Sequence, residues 1–128
     1  KDLNIKCLIS LVEENELTNL GAKDLFKELD KNKIKWVYFE IINFGIPNLN
    51  QYDELNSHIK TISQRILNGD NIYIHCMAGL GRTGMIAALI LTKLGLSAQQ
   101  SIKVIRDNRP GSIETEAQEN FVCEFRLN

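Results

Sequence analysis

The fold of this chain is decided by the stretch NIYIHCMAGLGRTGMIAALILTKL, residues 71–94. Its opening NIYIH, residues 71–75, alternates polar and apolar side chains and predicts a strand. The glycine-rich turn CMAGLGR, residues 76–82, leads into an apolar segment, residues 83–94, which predicts a helix that Gly95 ends. A strand that runs through a tight turn into an apolar helix is typical of α/β proteins.

Two further strands are predicted upstream. The nearly continuous apolar run IKCLISL, Ile5–Leu11, is typical of a strand buried on both faces, and a second strand is expected at about Ile34–Phe39. A ragged apolar stripe over Leu17–Leu29 predicts a helix between them. Apolar residues at steps of three and four over Tyr52–Ile66 predict another helix, and Gly69 lies where a left-handed cap belongs.

Helices dominate the end of the chain. Ser97 is the expected cap of a helix that runs to about Asn108, RPG at 109–111 interrupts it, and Glu116–Phe125 predicts a last amphipathic helix. The order β-α-β-α-β followed by three helices predicts a small three-layer α/β domain, with a parallel-rich central sheet and helices on both faces. We expect one domain, residues 1–128, and its start without a Met is compatible with loss of the extreme N-terminus.

The composition is that of a nearly neutral globular domain. Fifteen Lys and Arg against sixteen Asp and Glu leave a formal charge of −1, and 44% of the residues are hydrophobic. Without a basic excess, nucleic acid is not an expected partner. The apolar runs are too short to cross a bilayer, so no membrane contact is expected either. The sequence carries no signal of oligomeric state.

Three cysteines, Cys7, Cys76 and Cys123, lack the short Cys or His spacing of a zinc site. We therefore expect no metal, no cofactor and no disulfide framework, and a reducing, cytoplasmic location. Core packing is the simplest expectation for Cys7 and Cys123.

The glycines of the central turn also spell G-x-G-x-x-G, Gly79 to Gly84, as in dinucleotide-binding proteins. That interpretation is disfavoured because residues 76–78 separate the strand from the first glycine. It also requires a second strand with an acidic end after the helix, where the segment from Ser97 has helical spacing instead.

A phosphate-binding turn accounts for every residue of the segment. Amides of a short turn can surround one tetrahedral anion, and the following helix adds its positive end. Arg82 offers a bidentate fork to two phosphate oxygens. The expected phosphate-binding residues are Met77, Ala78, Gly79, Leu80, Gly81 and Arg82. Gly84 allows the helix to pack closely.

Cys76 is the candidate nucleophile, since the same amides, the helix dipole and Arg82 all favour its thiolate form. His75 and Thr83 are expected to hold that thiolate by hydrogen bonds. The simpler alternative is that Cys76 is only a small buried side chain and Arg82 a surface charge.

The pattern His-Cys-x-x-Gly-x-x-Arg-Thr-Gly resembles the signature of cysteine-dependent protein tyrosine and dual-specificity phosphatases. The likeness is strongest to the family of the cyclin-dependent-kinase-associated phosphatase, and extends from LISLVEENEL to RPGSIETEAQENFVCEFR. It implies hydrolysis of phosphotyrosine in proteins, with phosphoserine and phosphothreonine as further candidates, through a phosphocysteine intermediate and without a cofactor.

The resemblance also implies a role for Gln118, whose family counterpart helps to place the water that hydrolyses the phosphocysteine. Without the resemblance, Gln118 is most simply an exposed helix residue. Met77 and Leu80 stand where related lipid phosphatases carry Lys, which argues against inositol phosphates as substrates. No segment resembles the phosphotyrosine-recognition loop of the larger enzymes, so we expect a shallow cleft.

One expected group is missing. In the family, an Asp in a pattern like Pro-Ile-x-Asp-x-Gly-x-Pro protonates the leaving oxygen, whereas the matching stretch EIINFGIP, residues 40–47, places Asn43 there. Three explanations stay open. The chain is a weak enzyme or a phosphate-binding pseudophosphatase; Asn43 is an introduced substrate-trapping substitution; or a nearby carboxylate, Glu40, Asp53 or Glu54, supplies the proton.

Overall fold

Three parallel strands form the centre of the fold. The computed structural model describes residues 5–19, 27, 29, 31–76 and 80–127. Its strands are β1 (Ile5–Ser10), β2 (Lys35–Tyr38) and β3 (Asn71–His75), in the order β2-β1-β3. Leu8 of the central strand lies opposite Trp36 on one side and Tyr73 on the other. The predicted parallel sheet is confirmed.

Helices flank this sheet. They are α1 (Glu14–Asn19), α2 (Tyr52–Leu67), α3 (Gly81–Lys93), α4 (Ala98–Asn108) and α5 (Glu116–Glu124), with a short 3₁₀ turn at Leu49–Gln51. The predictions for the last four are confirmed to within two residues at each end. Gly69 has φ +95° just past α2, and Ser97 Oγ accepts a hydrogen bond from Gln100 N at the start of α4, as their residue types predict.

Helix α1 begins at Glu14, three residues before the apolar stripe that predicts a helix from Leu17. Glu16 Oε1 accepts a hydrogen bond from Glu13 N at 2.7 Å and so satisfies an otherwise free amide at the helix start. Carboxylates are also stabilised there by the helix dipole. Much of the predicted stripe that follows, residues 20–26, 28 and 30, lies outside the described residues.

The central strand is buried on both faces, as its apolar run predicts. Cys7, Ile9 and Leu11 belong to the main core, which also contains the buried face of α3, whereas Leu8 and Val12 are buried on the other face. Because the strands are parallel, their carboxyl ends meet at one edge of the sheet. The segments that follow the three strands therefore converge there, and Cys76 is the first residue after β3.

Candidate active site

Cys76 lies between β3 and α3 and is partly exposed. Thr83 Oγ1 donates a hydrogen bond to its sulfur at 3.0 Å, which is the contact expected from the sequence. Leu80 immediately precedes α3, and Gly81 is the first residue of that helix. Residues 77–79 lie outside the described residues, so the phosphate contacts expected of Met77, Ala78 and Gly79 stay predictions.

Arg82 is the most deeply placed charge at this edge of the sheet, with 1% of its surface exposed. Its Nη1 donates to Glu16 Oε1 at 2.9 Å and its Nη2 to Glu16 Oε2 at 3.1 Å. Nη1 also donates to the carbonyl oxygen of Ile41 at 3.0 Å. Arg82 is therefore not a surface charge, and both neighbouring strand ends fix its orientation.

Among the contacts of the described residues, these three bonds leave one edge of the guanidinium open. Arginine has five N–H donors, and the Nε–H with the second Nη2–H forms a fork that neither Glu16 nor Ile41 occupies. The Cys76 sulfur lies beside this guanidinium and contributes to its raised pKa. An open bidentate fork beside a thiol is the arrangement that a phosphate on that sulfur requires.

The electrostatics of the pair support this geometry. Burial alone would lower the pKa of Arg82, but the hydrogen bonds and charge of Glu16, with a smaller contribution from Cys76, raise it above its usual value. The hydrogen bond from Arg82 lowers the pKa of Glu16 against the opposing effect of burial. Both groups are therefore charged at neutral pH.

Glu16 is a site residue that the sequence interpretation missed. Glu13, Glu14 and Glu16 all follow the central strand, and nothing in the sequence distinguishes the one that turns inward. The available signal was indirect, because a buried arginine at the edge of a sheet needs a carboxylate from a neighbouring strand end.

The His75 side chain contacts Ser10, whereas a hydrogen bond to the Cys76 sulfur was expected. Its Nε2 lies 2.6 Å from Ser10 Oγ, and Trp36 Nε1 donates to the same oxygen at 2.9 Å. The Ser10 hydroxyl therefore joins the imidazole to the indole, and the tautomer of His75 sets the direction of its bond to Ser10. Burial, and then the charge of Arg82, lower the pKa of His75 and keep the ring neutral. Among the described contacts, none joins its side chain to the sulfur.

Gln118 is fully buried, not an exposed helix residue. Its Oε1 accepts hydrogen bonds from Glu114 N at 3.0 Å and Thr115 N at 3.2 Å, while its Nε2 donates to the carbonyl oxygen of Gly45 at 3.0 Å. A Cβ placed on Gly81 would lie 2.9 Å from Gln118 Oε1. The carboxamide thus joins three segments: the start of α3, the loop after β2 and the turn before α5.

Asn43 is exposed on the loop after β2, at the edge of the sheet where Cys76 lies. Its N–H donates to Glu13 Oε2 at 3.2 Å, and the next residue, Phe44, has a left-handed φ of +63°. The loop therefore has a defined shape, but an amide stands where a carboxylic acid is expected.

The three carboxylates considered as substitutes lie in different surroundings. Glu40 Oε2 accepts a hydrogen bond from Glu14 N at 3.4 Å, and Glu54 pairs with His58 at 3.2 Å on the surface of α2. Asp53 lines a separate cavity of about 690 Å³ between α2 and α5.

Among the described residues no group of three His, Cys, Asp or Glu side chains could hold a metal ion. No helix in the described ranges is long and apolar enough to cross a membrane.

The comparisons with known proteins identify the family of the chain. The family model described as "Dual specificity phosphatase, catalytic domain" matches residues 1–127. The chain belongs to the dual specificity phosphatase family. Cyclin-dependent kinase inhibitor 3 of Sus scrofa is 36% identical over 98% of this chain, and its Rattus norvegicus counterpart 30% over 98%. The chain spans 59% of the length of both relatives.

Solved phosphatase structures share the fold. A kinase associated phosphatase, in which serine replaces the catalytic site cysteine, has a TM-score of 0.85 at 26% identity, over 98% of this chain and 70% of its own. Tk-PTP in its active form has a TM-score of 0.80 at 28% identity, over 96% of this chain and 79% of its own. The resemblance noted in the sequence to the kinase-associated phosphatases is thereby confirmed.

Replacing Glu16 tests how much the site depends on its buried ion pair. Because Glu16→Gln leaves the buried Arg82 charge without its partner, we expect a loss of about 3–5 kcal/mol in the free energy of unfolding, measured by urea denaturation. The lowered pKa of Glu16 stabilises the fold above the usual value of 4.5 and ceases to do so as the pH falls through the folded-state value. The two proteins should therefore converge in acid.

Glu116→Gln is the matched control, since Glu116 is an exposed carboxylate in the first turn of α5. Its effect should stay within about 0.5 kcal/mol. Equal losses in the two variants, or a pH-independent loss for Glu16→Gln, would show that the ion pair does not hold Arg82 in place.

Peroxide should oxidise Cys76 without forming an internal disulfide. Cys7 pairs with Ile72 across the sheet. Cys76 lies four residues beyond Ile72, so Cys7 and Cys76 are separated by about 13 Å along the strand direction. Cys123 lines a cavity with Thr92 and Lys93 at the far end of α3. Thr92 lies about 13 Å along the helix from Thr83, the residue that contacts the Cys76 sulfur. Both exceed the Cα separation of about 7 Å that a disulfide allows. A disulfide at Cys76, detected by intact mass and peptide mapping after mild peroxide, would contradict this expectation.

Proposed function

We propose that the chain is a phosphoprotein phosphatase that hydrolyses phosphotyrosine, and phosphoserine or phosphothreonine as further substrates, through a phosphocysteine intermediate. The observation that carries the proposal is the open fork of Arg82 beside a sulfur that Thr83 also contacts. The kinase-associated relatives support a phosphorylated protein as the substrate. A reactive thiol of this kind needs a reducing compartment, in agreement with the cytoplasmic location expected from the sequence.

In the first step, the Cys76 thiolate attacks phosphorus. The S–P bond forms while the ester P–O bond breaks, and the leaving oxygen takes a proton. The open fork of Arg82 and the amides of residues 77–81 bind the three other oxygens, where the charge is spread in the transition state. Because Arg82 is held by Glu16 before substrate arrives, little reorganisation is needed.

In the second step, water attacks the phosphocysteine. A P–O bond forms, the S–P bond breaks and the electron pair returns to sulfur, where the Thr83 hydroxyl donates to it at 3.0 Å. The water loses a proton to a base. Gln118 contributes as a positioning residue, because it fixes the loop after β2 and the turn before α5 around the start of α3.

The second candidate function is a phosphate-binding pseudophosphatase that captures phosphorylated proteins with little turnover. Asn43 favours it, because its side chain has no proton to give to a leaving oxygen. Measuring affinity and turnover with the same phosphopeptide separates the two functions. Tight binding with negligible turnover supports the binding module.

Cys76→Ser should abolish hydrolysis of an aryl phosphate in EDTA, because the serine hydroxyl is a far weaker nucleophile than a thiolate. Cys123→Ser is the control, since that cysteine is exposed and lies at the far end of α3. Vanadate, which mimics phosphate, should inhibit the wild-type chain competitively. Turnover that persists in Cys76→Ser would remove Cys76 as the nucleophile.

Asn43→Asp should raise the turnover of phosphotyrosine substrates by at least ~10-fold, because a positioned acid contributes roughly 10²- to 10⁴-fold. The gain should be smaller on activated aryl phosphates, whose leaving groups need no proton. Asn50→Asp adds a carboxylate elsewhere on the exposed surface and should change neither rate. No gain in Asn43→Asp, together with loss of activity in Glu40→Gln or Asp53→Asn, would assign the acid elsewhere.

A further inference from the structure

Glu114 places an exposed carboxylate at the start of α3. A Cβ built on Gly81 would collide with Glu114 Oε1, so the carboxylate lies directly against the backbone of Gly81. The same small space contains the Gln118 carboxamide, which donates to Gly45 O on the loop that carries Asn43. The carboxylate therefore borders the expected phosphate-binding turn at Gly81, and the Gln118 carboxamide connects the same space to the loop from which the expected acid is missing.

The backbone before Glu114 is held in an unusual conformation. Ile113 has a φ of +59°, in the left-handed region that a β-branched residue rarely adopts. Its N–H donates to Leu80 O at 3.0 Å, and its carbonyl oxygen accepts from Arg106 Nη2 at 3.0 Å. Strain of this kind persists only where surrounding contacts enforce it, and it is concentrated at functional sites. Here it directs Glu114 towards Gly81.

Other nearby carboxylates are already engaged. Glu16 uses both oxygens on Arg82, and Glu13 Oε2 accepts from Asn43 N. The Glu114 side chain makes no hydrogen bond or ion pair to the other described residues, although its backbone N–H donates to Gln118 Oε1. It is thus accessible to substrate and water.

We propose that Glu114 supplies the acid and base that Asn43 cannot. The proposal rests on the phosphocysteine mechanism proposed above. In the first step, the Glu114 carboxyl gives its proton to the leaving oxygen as the ester P–O bond breaks. In the second step, its carboxylate takes a proton from water as the new P–O bond forms and the S–P bond breaks, which restores the starting state.

Glu114→Gln tests the proposal, because it keeps the shape of the side chain and removes the titratable proton. With a phosphotyrosine peptide, kcat should fall by about 10²-fold. With an activated nitroaryl phosphate, release of the first equivalent of aryl alcohol should keep its wild-type rate, and the steady state should slow. The phosphocysteine should then accumulate and be detectable by mass spectrometry after rapid quenching.

Glu116→Gln is the matched control, since Glu116 is an exposed glutamate two residues further along the chain. It should keep wild-type kinetics. A Glu114→Gln variant that slows both substrates and both phases by one common factor would show a merely structural role and overturn the proposal. Wild-type kinetics in Glu114→Gln would overturn it equally. Cys76→Ser separates this result from the proposed function, because activity there would refute the phosphocysteine pathway itself.

A double variant gives an independent readout. If Glu114 is the acid, Asn43→Asp should raise phosphotyrosine turnover by a larger factor in the Glu114→Gln background than in the wild-type background, because the new Asp replaces the lost proton donor. Equal factors in the two backgrounds would mean that the residues act independently, and would count against Glu114.

Discussion

The buried ion pair between Arg82 and Glu16 is the interaction on which the rest of the site depends. A guanidinium with 1% of its surface exposed is tolerated only because a carboxylate and a carbonyl oxygen take three of its donors. Those contacts come from the segments after β1 and β2, so Arg82 connects both to the start of α3. Among the described contacts, the same bonds that compensate for burial leave free the Nε edge of the guanidinium, which is the edge that the proposed phosphate would use.

The parallel direction of the three strands explains why the residues of the candidate site lie close together. Parallel strands deliver their carboxyl ends to a single edge, and the central strand brings Glu16 to it, the second strand Ile41 and Asn43, and the third Cys76. The end of the chain also contributes to the site, because the turn before α5 packs against the start of α3. There Ile113 N donates a hydrogen bond to Leu80 O. Gly84 permits that approach, since a Cβ there would lie 3.0 Å from Ile113 N.

Much of this was predictable from local patterns. The strand before Cys76 and the helix after it follow from short-range patterns, and the Thr83 contact follows from its position on the first turn of α3. The partners of Arg82, His75 and Gln118 were not predictable, because each depends on which side chains face the same space after folding. Glu16 is one of three nearby glutamates, and His75 bonds Ser10, which is 65 positions away in the sequence. The sequence pattern also gave no reason to expect Gln118 in the interior.

Gln118 accounts for how two strained loops can coexist at the rim of the site. Phe44 and Ile113 both adopt left-handed backbone conformations, at φ +63° and +59°, each at a cost of order 1–3 kcal/mol. The buried carboxamide of Gln118 bonds Gly45 O beside the first and Glu114 N beside the second. Since both ends of one side chain are used, neither loop can relax without leaving a buried polar group unpaired, which costs about 1–3 kcal/mol. The two losses are comparable, so the carboxamide offsets much of the strain and couples the position of Asn43 to that of Glu114.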